Sequence, residues 1–279
     1  MRRRNICRIY NLLAVSLFIV LLAAPAFSSS AKVWVGRAQE FEDVLTTGDI
    51  VAIKDLGEGR NQPKKVTLSK NGLELNGIWK PIERGRHDWA WETYQAEVVA
   101  YQLDKLLGLN MVPPTVEREF QGNRGSCQLW ITVEMDMRKK TREKIETPPD
   151  KAYSWNRAIY LQRAFDNLIA NIDRHQGNIL ITKDWRMILI DHSRSFGTYP
   201  TAISKLIYTE KHKDGPKIMR QLPRAFIVKI KDLNIEKISD VVGVYLTVEE
   251  IEAVLKRRDL ILEEINRIIK IYGEDNVLY

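Results

Sequence analysis

The chain has 279 residues, 44% of them hydrophobic and 28% charged, which is enough apolar content for one large or two-lobed folded body and excludes a disordered chain. Its formal charge of +7 is concentrated at the start: four of the 43 basic residues and none of the 36 acidic ones fall in the first 31, leaving 39 against 36, or +3. That near-balance gives no support to nucleic-acid binding. The two cysteines, Cys7 and Cys127, and four histidines show no zinc-ligand spacing.

The chain opens with Arg2, Arg3, Arg4 and Arg8, continues with an apolar run from Leu12 to Ala26, and reaches Ala31 through small residues. This is the layout of a secretory signal peptide over 1–31, with cleavage after Ala26 or Ala31. The alternative is an uncleaved anchor over 11–27, since the run is close to the ~17 residues that just span a bilayer. The segment predicts an exported protein, periplasmic or secreted, that meets a membrane only if the segment stays on. With Cys7 removed, a lone thiol remains and no internal disulfide can form.

Residues 50–82 alternate apolar and polar positions, and the Lys70-Asn71-Gly72 turn predicts an antiparallel hairpin. "LGEGRN" (56–61) lies between two strands and offers backbone amides at Gly57, Glu58 and Gly59. Ala96, Val99, Ala100, Leu103, Leu106 and Leu107 have helical spacing, and Gly108 closes that helix before Pro113 and Pro114. "SCQLWITVEM" (126–135) reads as a further strand, and residues 138–151, rich in charge, as a solvated linker. A long helix is expected from Tyr153 to Asn171, and Thr247 with Glu250 has the spacing of a capping box ahead of another. The expected architecture is α+β, with a β-rich N-lobe over 32–137 holding one main helix and a larger helical C-lobe over 152–279.

Between those helices lies "NIDRHQGNILITKDWRMILIDHSRSFG" (171–197). "ILIT" and "RMILI" can pair across Lys183-Asp184-Trp185, which draws Asp173, Asn178 and Asp191 to one edge. Two carboxylates and an amide make an oxygen-rich set suited to Mg²⁺ or Mn²⁺. The spacing also meets the needs of phosphoryl transfer: Asp173 to accept a hydroxyl proton, Asn178 and Asp191 to hold metal. Upstream, Lys80 ends an apolar strand where a cation would meet phosphates, and Glu97 lies early on the first helix, able to pair with it. Each piece alone is weak; their order in the chain is the signal.

"EVVAYQLDKLLGLNMVPPTVER" (97–118), "FDNLIANIDRH" (165–175) and "LIDHSRSFG" (189–197) resemble the secretory-pathway kinases of the Golgi casein kinase and Four-jointed type and their bacterial relatives. The Asp-Arg-His opening is also similar to that of phosphoinositide 3- and 4-kinases and, more distantly, HipA-type kinases. The resemblance implies a two-lobed protein-kinase-like fold and ATP as phosphoryl donor with Mg²⁺ or Mn²⁺. It implies Lys80 on the ATP phosphates with Glu97 as its partner, Asp173 as catalytic aspartate, and Asn178 and Asp191 as metal ligands. It also implies a hydroxyl acceptor, protein Ser/Thr first and a glycan or lipid as alternatives; a nucleotide-binding module without turnover stays open. The chain departs from the pattern at Asn178, where "DRHQGNI" is nearer the lipid-kinase form, and at Asp191-His192-Ser193 in place of Asp-Phe-Gly. His175, Arg174 and Arg194 read first as loop-fixing residues, with proton transfer by His175 and a phosphate contact by Arg194 as the alternatives. Six cations between 204 and 224, Lys205, Lys211, Lys213, Lys217, Arg220 and Arg224, against only Glu210 and Asp214, are read equally as a groove for an acidic peptide, phosphorylated glycan or anionic lipid headgroup and as a solvated basic loop.

Overall fold

The computed structural model describes residues 32–57, 63–87, 90–212 and 214–279. The signal or anchor segment at 1–31, Glu58 and Gly59 of the glycine loop, and Lys213 lie outside the described residues. Among the described residues no helix is long and apolar enough to cross a membrane.

The N-lobe begins with a helix the periodicity reading did not anticipate, α1 (Ala38–Thr47), which buries Phe41, Val44 and Leu45 at i, i+3 and i+4. It covers one face of a five-stranded antiparallel sheet formed by β1 (Asp49–Asp55), β2 (Lys64–Lys70), β3 (Leu73–Lys80), β6 (Thr115–Phe120) and β7 (Asn123–Leu129). The strand order is β1-β2-β3-β7-β6. The β2–β3 turn is as expected: Asn71 (φ 50°) and Gly72 (φ 79°) both take the left-handed conformation that a two-residue hairpin requires. Between β3 and the next helix a small hairpin, β4 (Gly85–His87) with β5 (Ala90–Glu92), adds a feature the sequence did not suggest.

Helix α2 (Tyr94–Leu107) matches its expected span. Thr93 caps its first turn by accepting from the Gln95 amide, and Gly108 ends it at φ 69°. Beyond β7 the expected strand over 126–135 stops at Leu129, and Met135 joins a different sheet through β8 (Met135–Asp136). The two sheets lie in different lobes, so the chain leaves one at Leu129 before it enters the other.

Residues 138–151 are mostly exposed, as expected, but they are not a plain linker. Asp136 caps α3 (Met137–Arg142) by accepting from the Lys139 amide, and the basic last turn suits the helix dipole. Pro149, pre-set for the first helical turn, starts α4 (Pro149–Ile169) one turn before Tyr153. The connection proper is 143–148.

In the C-lobe, β8 pairs with β9 (Ile179–Ile181), which pairs with β10 (Met187–Leu189) in the order β10-β9-β8. The lobe is completed by α5 (Pro200–Ser204), α6 (Arg224–Lys231), α7 (Ile235–Val242) and α8 (Val248–Tyr272). Thr247 and Glu250 form both bonds of the capping box on α8. From α8 the buried Arg257 donates to the carbonyls of Leu168 and Gly197, at 2.8 and 3.0 Å. It thereby ties that helix to the end of α4 and to the loop that follows β10.

Candidate active site

The candidate edge is built where α4 ends. Ala170 (φ 50°) terminates the helix, and Asn171 turns the chain by accepting from the Asp173 amide while donating to Asp166. Arg174 then points inward. It is buried against the buried Asp166, with Nε 3.0 Å from Oδ2, and its Nη1 donates to the carbonyls of Asn178 (2.9 Å) and Ile190 (2.6 Å). A buried ion pair holds only when its remaining donors are also satisfied, and here they are satisfied by the two ends of the β9–β10 hairpin. Arg174 is thus the clamp that brings Asn178 and Asp191 together; the Ile190 amide, donating to the Asn178 carbonyl at 3.2 Å, closes the same edge. Asn178 also reaches the Asp173 carbonyl, at 3.4 Å. His175 is exposed and its Nδ1 accepts from the Gly177 amide, a capping role within the loop.

Asp191 follows directly and takes φ 61°, a conformation Asp tolerates better than most residues. That turn points its carboxylate at Lys80 from β3, with Oδ1 3.1 Å from the ammonium. It also aims the His192 amide at Glu97 from α2, at 2.9 Å. Glu97 closes the network by accepting from Lys80 at 2.8 Å. Burial alone would pull the Lys80 pKa down, but Asp191 and Glu97 outweigh it and hold the ammonium above the ordinary lysine value. Burial would likewise raise Glu97, yet Lys80 foremost, with His192, keeps it well below the usual carboxylate range. His192 is fully buried, and that burial foremost, with Arg174, depresses its pKa; its ring packs edge-on to Phe165.

Asp173 faces a second guanidinium, which sequence reasoning set aside as loop-fixing. Arg194 Nη1 lies 3.1 Å from Asp173 Oδ2, while its Nε donates at 2.6 Å to the buried Glu92. Glu92 carried no signal of its own in "WAWE", because its partner is 102 positions away. Beside this pair opens a cavity of about 560 Å³, lined in part by Trp91, Glu92, Arg194, Tyr199 and Glu250. Gly57 (φ 64°) sits two residues past the end of β1. The basic stretch is less uniform than its composition: Arg224 pairs with Glu274 and Asp275, and Arg220 lies over the Tyr272 ring, 4.4 Å from its centroid.

The donor set fits a hard divalent cation. Asp191 Oδ2 and Asn178 Oδ1 accept no hydrogen bond among the described residues, and both are oxygens on the same edge. No three His, Cys, Asp or Glu side chains converge among the described residues. A cation here would therefore rest on few protein oxygens plus a ligand's, as Mg²⁺ does on phosphates.

No sequence-family model and no curated protein matches the chain. Its fold does match solved structures. A hydra Fam20 structure with sugar superposes over 87% of this chain and 92% of its own, at a TM-score of 0.63 and 15% identity. The Golgi casein kinase superposes over 86% and 77% (TM-score 0.59, 16% identity), and a further structure of it carries Mn and ADP. The Helicobacter pylori proinflammatory kinase CtkA follows at 0.50 and 14%, over 82% and 97%. The likeness is one of fold: an α+β, two-lobed, atypical-kinase architecture.

Proposed function

We propose that this chain, with the fold of the Fam20 and Golgi casein kinase type, transfers the γ-phosphoryl group of ATP to a hydroxyl. The observation that carries the reading is the three-way contact of Lys80 with Glu97 and Asp191, at 2.8 and 3.1 Å, on the edge that also holds Asn178 and Asp173. A solitary strand-end lysine has no need of a buried carboxylate that fixes its position and a second that faces solvent. Lys80, pinned by Glu97, binds the phosphates. Asn178 and Asp191 would hold Mg²⁺ or Mn²⁺, which neutralises charge on the transferring group. Asp173 orients the acceptor hydroxyl and takes its proton, and Arg194 holds that carboxylate in place. The Asp191 turn and the Arg174 clamp keep these groups preorganised, which is where such electrostatic catalysis gets its strength.

Protein Ser/Thr is the leading acceptor, from the resemblance of residues 97–118, 165–175 and 189–197. A sugar hydroxyl is the second reading, favoured by one observation: the cavity beside Asp173 sets the 68%-exposed Trp91 and Tyr199 near the carboxylates of Glu92 and Glu250. Rings that cover apolar sugar faces suit a glycan, whereas Glu92 is engaged by Arg194 and Glu250 by Arg84 and the Thr247 amide. The layout of residues 1–31 supports export. The test is metal-dependent ATP consumption and phosphate transfer by the full chain, beside Asp191→Ala, with an acidic Ser-rich polypeptide and an oligosaccharide as acceptors. Turnover abolished in the variant is expected, and the productive acceptor selects between the two readings. No turnover and no metal-dependent nucleotide binding would overturn the proposal.

A further inference from the structure

The end of the β9–β10 hairpin farthest from Asn178 and Asp191 borders a second cavity, of about 600 Å³. Its walls come from α4, the segment after α2, the hairpin tip, Lys32 and Tyr279. Four cations line it, Lys32, Lys151, Arg157 and Arg186, against one carboxylate, Asp184. Asp184 is already engaged by Arg186 at 2.8 Å and by the Thr182 hydroxyl. Asp150 pairs with Lys151 from outside the cavity, and Asp104 is the other carboxylate that acts on Lys32.

Arg157 is the most specific part of this arrangement. Its guanidinium lies between two rings, 4.0 Å from the Tyr153 centroid and 3.4 Å from that of Tyr279. Both faces are covered, so only its edge can donate hydrogen bonds. One nitrogen of that edge donates to the Tyr153 hydroxyl, while Nε is buried with no partner. Nε is enclosed and out of a ligand's reach, so an oxyanion in the plane of the guanidinium would be met by Nη1, which has no hydrogen-bond partner among the described residues. Lys32 is mostly withdrawn from water, and that burial, with Arg186 adding to it against Asp104, lowers its pKa to about 8; an anion nearby would favour its charged form. Much of the remaining lining is apolar, with Met111, Leu161 and Met187 alongside Trp185. The cavity is therefore suited to a ligand with a multiply charged end and a carbon body, and its volume lies within the range of small-molecule sites.

We propose that this cavity binds a phosphomonoester carrying a compact aromatic or aliphatic group, at a site separate from the one that contains Lys80. With Lys151 paired to Asp150 and Arg186 to Asp184, Lys32 and Arg157 are the two lining cations without an ion pair among the described residues, and two positive charges match a dianion better than a carboxylate. The two-ring clamp on Arg157 and the apolar wall explain why inorganic phosphate alone would bind more weakly.

Phenyl phosphate, titrated calorimetrically into the full chain beside inorganic phosphate, tests this. Arg186→Glu and Lys151→Glu change side chains that are 51% and 41% exposed and lie on different elements, so a folding failure in one leaves the other as the test. The expected result is saturable phenyl phosphate binding, weaker by about tenfold or more in each variant and unchanged in Lys80→Ala. Binding that is indifferent to both reversals, that disappears in Lys80→Ala, or that is absent at millimolar ligand would overturn the proposal. Equal affinity for inorganic phosphate would overturn the carbon body of the ligand.

Discussion

Glu97→Gln isolates the charge at the centre of the site. The side chain is buried, and its two oxygens have separate duties: Oε1 accepts from the Lys80 ammonium at 2.8 Å and Oε2 from the His192 amide at 2.9 Å. A glutamine has one carbonyl oxygen, so whichever way the amide turns, one donor faces another donor. Breaking a buried pair costs about 3–5 kcal/mol when the remaining charge is stranded. Lys80 keeps Asp191, so the loss falls toward that of one charge-assisted hydrogen bond, and about 2–3 kcal/mol is expected. Urea unfolding followed by tryptophan fluorescence measures it. The pH dependence supplies a second check. Because the folded pKa of Glu97 is depressed, its contribution is fully present above the ordinary glutamate value of about 4.3 and is lost as pH falls through the lower folded value. The gap between parent and variant should therefore be constant from pH 5 to 8 and narrow in acid. A gap below about 0.5 kcal/mol at neutral pH, within the scatter of ordinary surface substitutions, would refute the buried pair.

Asp104 carries the opposite sign. Burial pushes its carboxyl up to about 7 despite the Met111 and Val112 amides that donate to it, so its folded pKa lies above the unfolded one and the protein should lose stability as pH rises from about 4 to 7. Asp104→Asn keeps an acceptor for those amides and should flatten that slope in thermal unfolding; an unchanged slope would place its source elsewhere. At Gly125, an added Cβ would lie 2.5 Å from the Lys80 carbonyl oxygen and 2.9 Å from its carbon, so Gly125→Ala must push β7 away from the end of β3. The expected outcome is a stability loss of about 1–3 kcal/mol with weakened nucleotide binding, and a variant with unaltered nucleotide affinity would show that the Lys80 backbone has room to yield.

The parts of the site that were legible in sequence are those encoded locally. The helix bearing Glu97 and the hairpin bearing Asn178 and Asp191 declare themselves by period and turn residues, and Lys80 by its place at the end of a strand. The groups that hold them in place do not. Asp166, inside a helix, has no mark that distinguishes it from a surface acid until Arg174 folds back on it eight residues later. Arg194 and Glu92 meet across 102 positions, and His192 reaches Glu97 across 95. Helix α1 escaped for another reason: Arg37 provides no side-chain cap, and its three buried residues sit among four acids and amides in a ten-residue helix, too short for the pattern to stand out. The strand expected over 126–135 ran on too far because the apolar run continues through Trp130 and Ile131, while the backbone it belongs to changes sheets.

The β9–β10 hairpin explains both its own sequence and the position of the site. Ile179, Ile181, Met187 and Leu189 pack into the C-lobe core, whereas Leu180, Ile188 and Ile190 pack with the N-lobe core. Alternate residues therefore face different lobes, and a strand buried on both faces reads as an unbroken apolar run, which is why "ILI" and "MILI" lack the alternation of a half-exposed hairpin. A slip of one residue would exchange the two faces, so the register is fixed by both cores at once. Asp191 comes one residue after Ile190 and Asn178 one before Ile179, so the same packing fixes both oxygen donors at the junction of the lobes. Lys80 arrives from the N-lobe sheet and meets Asp191 there without an intermediary. On the kinase reading, that direct contact is the one an incoming phosphate would share: Glu97 would retain the ammonium, and Asp191, more exposed than Glu97, would be the carboxylate available to hold the metal.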